Sequence, residues 1–466
     1  MKEKILLLKD ADFVIMDSSN IQKSLSVLTQ GNKIEAVGKT EDLNKQYSFD
    51  EILDCSGMAL LPGFINCHTH INETMMRGMG HNISFYDWCK KMVFPMGETM
   101  EECGEKVYTR MAELTAMEAV ASGTTSLIEN SCNFTKWHTY AMARAMSDFG
   151  IRGAVAMGAE DFSELDFGHV STLENEVDAV RKFLETWQAE DDELIQAWVG
   201  PGGGKRTVGG CTSDLLKQLK QLANSFNTNF HMHLVGSRLE YENVIKTTDF
   251  PGAVAYVDDL GLLDERTSLV HLVWIMEEEY PILKESGAMV VHCPSSAQHN
   301  TMGVQPLMAL DALGIVCALA TDGANPNDSL DMIREMRQAI LLQMIHKMKP
   351  EAMFHGDAFR MATETGAKIL GIENVGRIEK GCLADITAIR IENNPFLAPV
   401  YDPIETIVYS GSGGRDVTMT MVNGKIVYKN GEFLTVDAEK VISEINGYRK
   451  GVIGPVPYLA DYRKFI

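Results

Sequence analysis

A chain of 466 residues, 45% apolar and 23% charged, has room for a barrel-sized domain plus something smaller. Its net charge of −22 argues against a nucleic-acid partner, whose phosphates such a surface repels, and no apolar stretch reaches membrane-spanning length. Nine cysteines stand singly without a Cys-x-x-Cys pair, and the start carries no signal-peptide pattern, so free thiols in a reducing cytoplasm are expected.

In chain order, residues 1–60 read as short β-segments at 5–8, 13–16, 33–37 and 51–54, broken by turns. The apolar run 60–67 then closes on His68-Thr69-His70. Side chains two apart on a strand share a side, so both imidazoles can converge on one metal ion at the strand's end. Short apolar runs alternate with helical patterns from there, giving candidate strands 60–66, 124–130, 151–157, 194–199, 229–235, 268–273, 288–292 and 315–321. The clearest helix runs from about 100 to 122, with Val107, Met111, Leu114, Met117 and Val120 at helical spacing. Eight strand–helix alternations predict an α/β fold, a (β/α)8 TIM barrel, whose catalytic groups sit at the C-terminal ends of the strands. His233, His271 and Asp322 each close such a run.

Beyond the barrel the β style returns at 384–390, 405–409, 417–422 and 425–428, with Asn423-Gly424 as a hairpin turn. The expected organisation is a small β-sandwich domain assembled from 1–60 and 376–437, a barrel over 61–375, and a tail over 438–466 that packs back on the barrel or covers a dimer contact.

These residues resemble the amidohydrolase superfamily, in the branch of methylthioadenosine/adenosylhomocysteine deaminases, triazine chlorohydrolases and guanine deaminase. The resemblance rests on Leu61-Pro62-Gly63-Phe64-Ile65-Asn66-Cys67-His68-Thr69-His70, Met76-Arg77-Gly78, His292-Cys293-Pro294-Ser295-Ser296, Thr321-Asp322-Gly323-Ala324 and Gly381-Cys382-Leu383-Ala384-Asp385. It implies that His68, His70, His233 and Asp322 bind one divalent metal ion, zinc first, with manganese and iron as alternatives. Asp322 would also take a proton from the metal-bound water, and His271 would orient that water or the tetrahedral intermediate. Three neutral imidazoles and a carboxylate suit such an ion and leave a position open for water. Homo-oligomers are the family habit. No lysine ends the fourth strand to bridge a second ion.

Three departures from the pattern bear on function. Deaminase-like relatives carry a glutamate three residues after the strand-five histidine, where this chain has Gly236. Glycine transfers no proton, and general acid–base help is worth ~10²–10⁴-fold. Glu73 and His299 are the candidate replacements, while Glu240, on the following helix, reads as a solvated surface residue. After strand four the chain has Gly200-Pro201-Gly202 and then Lys205-Arg206, cations able to hold an anionic group or a developing enolate. His292, ending strand seven, is a further candidate for substrate contact.

The expectation is a metal-dependent hydrolase acting on a small planar cyclic substrate, with C–N hydrolysis favoured on family grounds. Ring C–C hydrolysis of a cyclic β-diketone, as by a dihydrophloroglucinol cyclohydrolase, is the runner-up motivated by Gly236. Triazine dechlorination is a third variant. A non-catalytic barrel scaffold has no need of five aligned ligating and water-orienting groups.

Overall fold

The computed structural model describes residues 3–131, 138–162, 171–202 and 210–465. The N-terminal part forms β1 (Ile5–Ile15), β2 (Ile21–Gln30), β3 (Lys33–Gly38), β4 (Glu51–Asp54) and β5 (Met58–Pro62). The expected segments 5–8 and 13–16 are one strand with a bulge between Leu8 and Ala11, where Asp10 takes a φ of 55°. Polar Gln22, Lys23 and Ser24 hide β2 from an apolar-pattern reading, yet it pairs antiparallel with β1 along its length.

The expected strand 60–66 divides at Gly63. β5 ends at Pro62 in the small sheet, and the next strand starts the barrel at Phe64. A Cβ on Gly63 would lie 2.1 Å from the Thr125 side chain, so only glycine lets the chain pass that close to its neighbour. The Gly63 N–H donates to the Asp385 carbonyl at 3.0 Å and ties the crossing point to the returning C-terminal part.

The barrel strands are β6 (Phe64–Thr69), β7 (Thr124–Ser131), β8 (Arg152–Met157), β9 (Ile195–Val199), β10 (Phe230–Leu234), β11 (Thr267–His271), β12 (Met289–His292) and β13 (Cys317–Leu319). They pair in sequence order, all parallel. Closure between the first and last strands comes just beyond β13, where Asp322 N–H donates to His68 O at 3.1 Å and Asn66 Nδ2 donates to Thr321 Oγ1 at 2.7 Å. Ile65, Cys67, Ile128, Ala154, Trp198, Val270 and Val291 fill the interior. Phe64, Leu127, Val155, Val199, Phe230 and Met232 pack outward against the helices. Burial on both faces explains why these strands read as continuous apolar runs.

The last strands, β14 (Ile386–Arg390), β15 (Val417–Val422), β16 (Lys425–Lys429) and β17 (Glu432–Phe433), return to the small sheet, whose main order is β17-β16-β15-β14-β5-β1-β2-β3 with β4 beside β1. The segment 405–409 is not a strand: a helix spans Pro403–Ser410, with Asp402 capping it from its side chain and Pro403 in its first turn. The expected helix over 100–122 is two helices, Phe94–Glu102 and Glu105–Ala121, because Gly104 between them has a φ of 78°. The tail packs back on the barrel, as one of the two expectations had it: the helix Ala438–Ile453 lies against both of those helices, with Thr99 Oγ1 donating to Val452 O at 2.7 Å. All eight cysteines among the described residues carry free thiols. Among the described residues no helix is long and apolar enough to cross a membrane.

Candidate active site

Strand alternation puts His68 and His70 at the mouth end of β6, and His231 and His233 inward on β10. Asp322 follows β13 in a left-handed conformation with a φ of 64°. Val235, His271 and Leu272 also take positive φ, at 41°, 71° and 40°. Side-chain-bearing residues in that region are strained, and here all four stand just where strands hand over to the mouth loops.

The Nε2 atoms of His68 and His70 are 3.2 Å apart, and those of His70 and His233 are 3.3 Å apart. Asp322 Oδ1 lies 3.7 Å from His68 Nε2 and 3.5 Å from His70 Nε2. A tetrahedral shell at about 2.0–2.1 Å from a zinc-like ion sets neighbouring donors roughly 3.3–3.4 Å apart, so this donor set fits one such ion.

The other ring nitrogens are already committed. His70 Nδ1 donates to Asn130 O at 2.8 Å. His68 Nδ1 faces His231 Nε2 at 2.9 Å, and His231 Nδ1 faces Ser268 Oγ at 2.6 Å. A proton on each Nδ1 satisfies this chain and leaves the Nε2 lone pairs of His68 and His70 aimed at the common point. Burial, reinforced by the neighbouring imidazoles, holds His68 and His233 well below the usual histidine range and His231 at about 3. All three are therefore neutral at cellular pH, the form in which imidazole binds metal.

Asp322 bridges this cluster to His271. Its Oδ1 accepts the Gly323 N–H at 2.8 Å, and its Oδ2 accepts Ser296 Oγ–H at 2.6 Å and lies 3.9 Å from His271 Nε2. Burial lowers His271 too, against the opposing pull of Asp322.

A cavity opens above these groups, bounded by His70, His233, His271 and Asp322 below and by Phe85, Trp88 and Phe94 on the segment after β6. The Trp88 indole donates to Asn325 Oδ1, whose amide donates to Met76 O at 2.6 Å and Met79 O at 2.8 Å, pinning the aromatic wall to the loop after β13.

Glu73 reaches the cavity from a short 3-10 helix, Ile71–Met76. It lies so close to Gly323 that a Cβ there would be 1.8 Å from Glu73 Oε2. Burial, then the charges of Asp322 and Glu129, pushes its carboxyl well above the usual range. Glu240, expected on the surface, also lines the cavity, beside Gly236 and His271. His299 instead faces His81 and Asp328: the two rings stand 5.4 Å apart, and His81 Nε2 is 3.0 Å from Asp328 Oδ2. His292 is buried at the end of β12 and burial holds it at about 3; its Nε2 has no hydrogen-bond partner among the described residues. Lys205 and Arg206 lie outside the described residues.

Sequence reasoning missed the supporting pair His231 and Ser268, and the position of Glu240. Only the last left a signal, the Ser237-x-x-Glu240 pattern that folds a glutamate back over a helix start.

Residues 59–427 match the model of the amidohydrolase family. The chain is 31% identical over 439 residues to a 5-methylthioadenosine/S-adenosylhomocysteine deaminase of Pyrococcus furiosus, spanning 94% of this chain and 99% of that one. It is 30% identical over 445 residues to a 5'-deoxyadenosine deaminase of Methanobrevibacter smithii, spanning 95% and 96%. An adenosine deaminase from Xanthomonas campestris with bound zinc shares the fold at a TM-score of 0.87 and 24% identity, over 96% of this chain and 98% of that one. The zinc complex of atrazine chlorohydrolase from Arthrobacter aurescens TC1 does so at 0.86 and 22%, over 95% and 100%.

Proposed function

The chain belongs to the amidohydrolase family, and on that premise we propose that it is a mononuclear metal-dependent hydrolase that breaks a C–N bond at a ring carbon of a small planar cyclic substrate. The observation that carries this reading is the convergence of His68, His70 and His233 Nε2 with Asp322 Oδ1 at donor spacings of 3.2–3.7 Å. Those four groups would hold the ion, with zinc the first choice and manganese or iron the alternatives. When bound, it supplies Lewis acidity that brings the pKa of a coordinated water toward neutrality. β9 carries no lysine to bridge a second ion.

The chain's own residues divide the remaining work. Asp322 takes a proton from the attacking water through the carboxylate that Ser296 and the Gly323 N–H hold in place. His271, neutral and within reach of the same carboxylate, donates to the oxygen that gains charge as the ring carbon becomes tetrahedral. Phe85, Trp88 and Phe94 offer flat apolar surface to a planar ring, while Glu73 meets its polar edge.

A second reading keeps the centre and changes the bond. Gly236 in place of the relatives' glutamate favours a cyclic β-diketone, whose C–C cleavage expels an enolate and needs no shuttle to a ring nitrogen. One panel separates the two: purine nucleosides, free purines, pterins and triazines assayed for ammonia, beside a cyclic β-diketone assayed for ring opening. Ammonia from any amine substrate is the expected result. A blank across the amines together with diketone turnover would reject the C–N reading in favour of the second.

A further inference from the structure

Gly236 removes a side chain from a corner of the cavity that another residue enters. A Cβ built on Gly236 would sit 3.3 Å from His271 Cδ2 and 3.5 Å from Glu240 Oε2. Gly236 precedes the helix Arg238–Thr247, which Ser237 caps and in which Glu240 is the third residue. Side chains in a first helical turn lean back toward the N-terminus, and this one leans far enough for its Oε2 to accept the Ser237 N–H at 2.9 Å. The carboxyl therefore leaves the chain one helical turn late and arrives at the space above Gly236. Of the other candidates, Glu73 lines the same cavity but packs over Gly323 rather than Gly236, and His299 is engaged with His81 and Asp328.

We infer that Glu240 is the proton-transferring carboxyl of this site, standing in from the helix for the side chain that Gly236 lacks. The inference rests on the C–N reading proposed above. In the step it serves, the water oxygen bonds to the ring carbon and Asp322 takes one water proton, which passes to the ring nitrogen. Glu240 gives its proton to the exocyclic nitrogen as the C–N bond breaks and its electron pair moves onto that nitrogen. The second water proton then recharges Glu240. A ring carbonyl and ammonia result, with no oxidant or reductant. Burial raises the Glu240 carboxyl from its ordinary range, against the bonds from Ser237, which suits an acid that must hold a proton before giving it up.

The test compares wild type, Glu240→Gln and the double variant Gly236→Glu/Glu240→Gln on the amine panel and the diketone. Glutamine keeps an oxygen to accept the Ser237 N–H, so the helix start survives while the transferable proton is lost. Glu240→Gln is expected to lower kcat by at least about 10²-fold, with KM, melting temperature and metal content near wild type. Adding Gly236→Glu is expected to restore at least roughly tenfold of that loss, since Gly236 needs no left-handed backbone and its new Cβ asks His271 to give only a few tenths of an ångström. Unchanged kcat in Glu240→Gln overturns the inference, as does a loss that tracks a fall in melting temperature or that Gly236→Glu fails to restore. A wild type that releases ammonia from no amine substrate, whether or not it opens the diketone, overturns the parent reading, and this inference falls with it.

Discussion

Asp322→Asn is expected to leave a folded protein with kcat reduced by roughly 10³-fold or more, because one substitution removes both functions proposed for that carboxylate. Asparagine matches aspartate in shape, and its one oxygen can still accept the Gly323 N–H that Oδ1 accepts now at 2.8 Å. The amide nitrogen then takes the place of Oδ2, where Ser296 donates at 2.6 Å, so the serine must turn. The fold absorbs that local change, while the carboxylate among the three imidazoles and the proposed proton acceptor for water are both gone. Steady-state kinetics beside circular dichroism and thermal unfolding check it. Turnover within tenfold of wild type would remove Asp322 from the mechanism.

Arg152→Met is expected to act in the opposite way, costing about 3–5 kcal/mol of stability while sparing kcat in the molecules that stay folded. Arg152 opens β8 at the end of the barrel away from the mouth. Its Nε donates to Asp385 Oδ2 at 2.6 Å and its Nη2 to Asp385 Oδ1 at 3.1 Å, with both side chains almost wholly buried. Asp385 Oδ1 also accepts the Asn423 N–H at 2.7 Å, so this pair joins the barrel floor to the hairpin between β15 and β16. Removing the arginine leaves a buried carboxylate with its charge unanswered, and the lost pairing outweighs the packing that methionine restores. The double variant Arg152→Met/Asp385→Asn should recover part of the loss, because the orphaned charge is gone as well. Denaturant melts of the three proteins measure it; a single-variant loss below about 1 kcal/mol contradicts the assignment.

The barrel and the side chains that converge at its mouth were legible because both follow from short-period patterns. Apolar runs mark strands buried on both faces, and the polar residue ending each run marks the mouth. His68, His70, His233, His271 and Asp322 are all of that kind. What the pattern could not carry is layering along the strand. His231 and His233 share a face, yet the structure sets His231 below the point where the Nε2 atoms of His68, His70 and His233 converge, beside Trp198 and against His68 Nδ1. Reach between elements was equally hidden: Glu240 belongs to a helix by sequence and to the cavity by its backward-leaning side chain. The segment 403–410 shows a signal misread. Ile404, Ile407 and Val408 fall at helical spacing behind Asp402 and Pro403, but the β-style neighbourhood suggested a strand. Gly63 looked like part of one apolar run, and only the close approach of Thr125 marks it as the border between two sheets.

Elemental analysis of the purified protein tests the central claim most directly. Purification without chelators should yield about one equivalent of a divalent transition metal per chain, and His68→Ala/His70→Ala should yield less than roughly a tenth of that while remaining folded. A wild type without stoichiometric metal after supply of zinc, manganese and iron, or a double variant that keeps its full equivalent, would contradict the account.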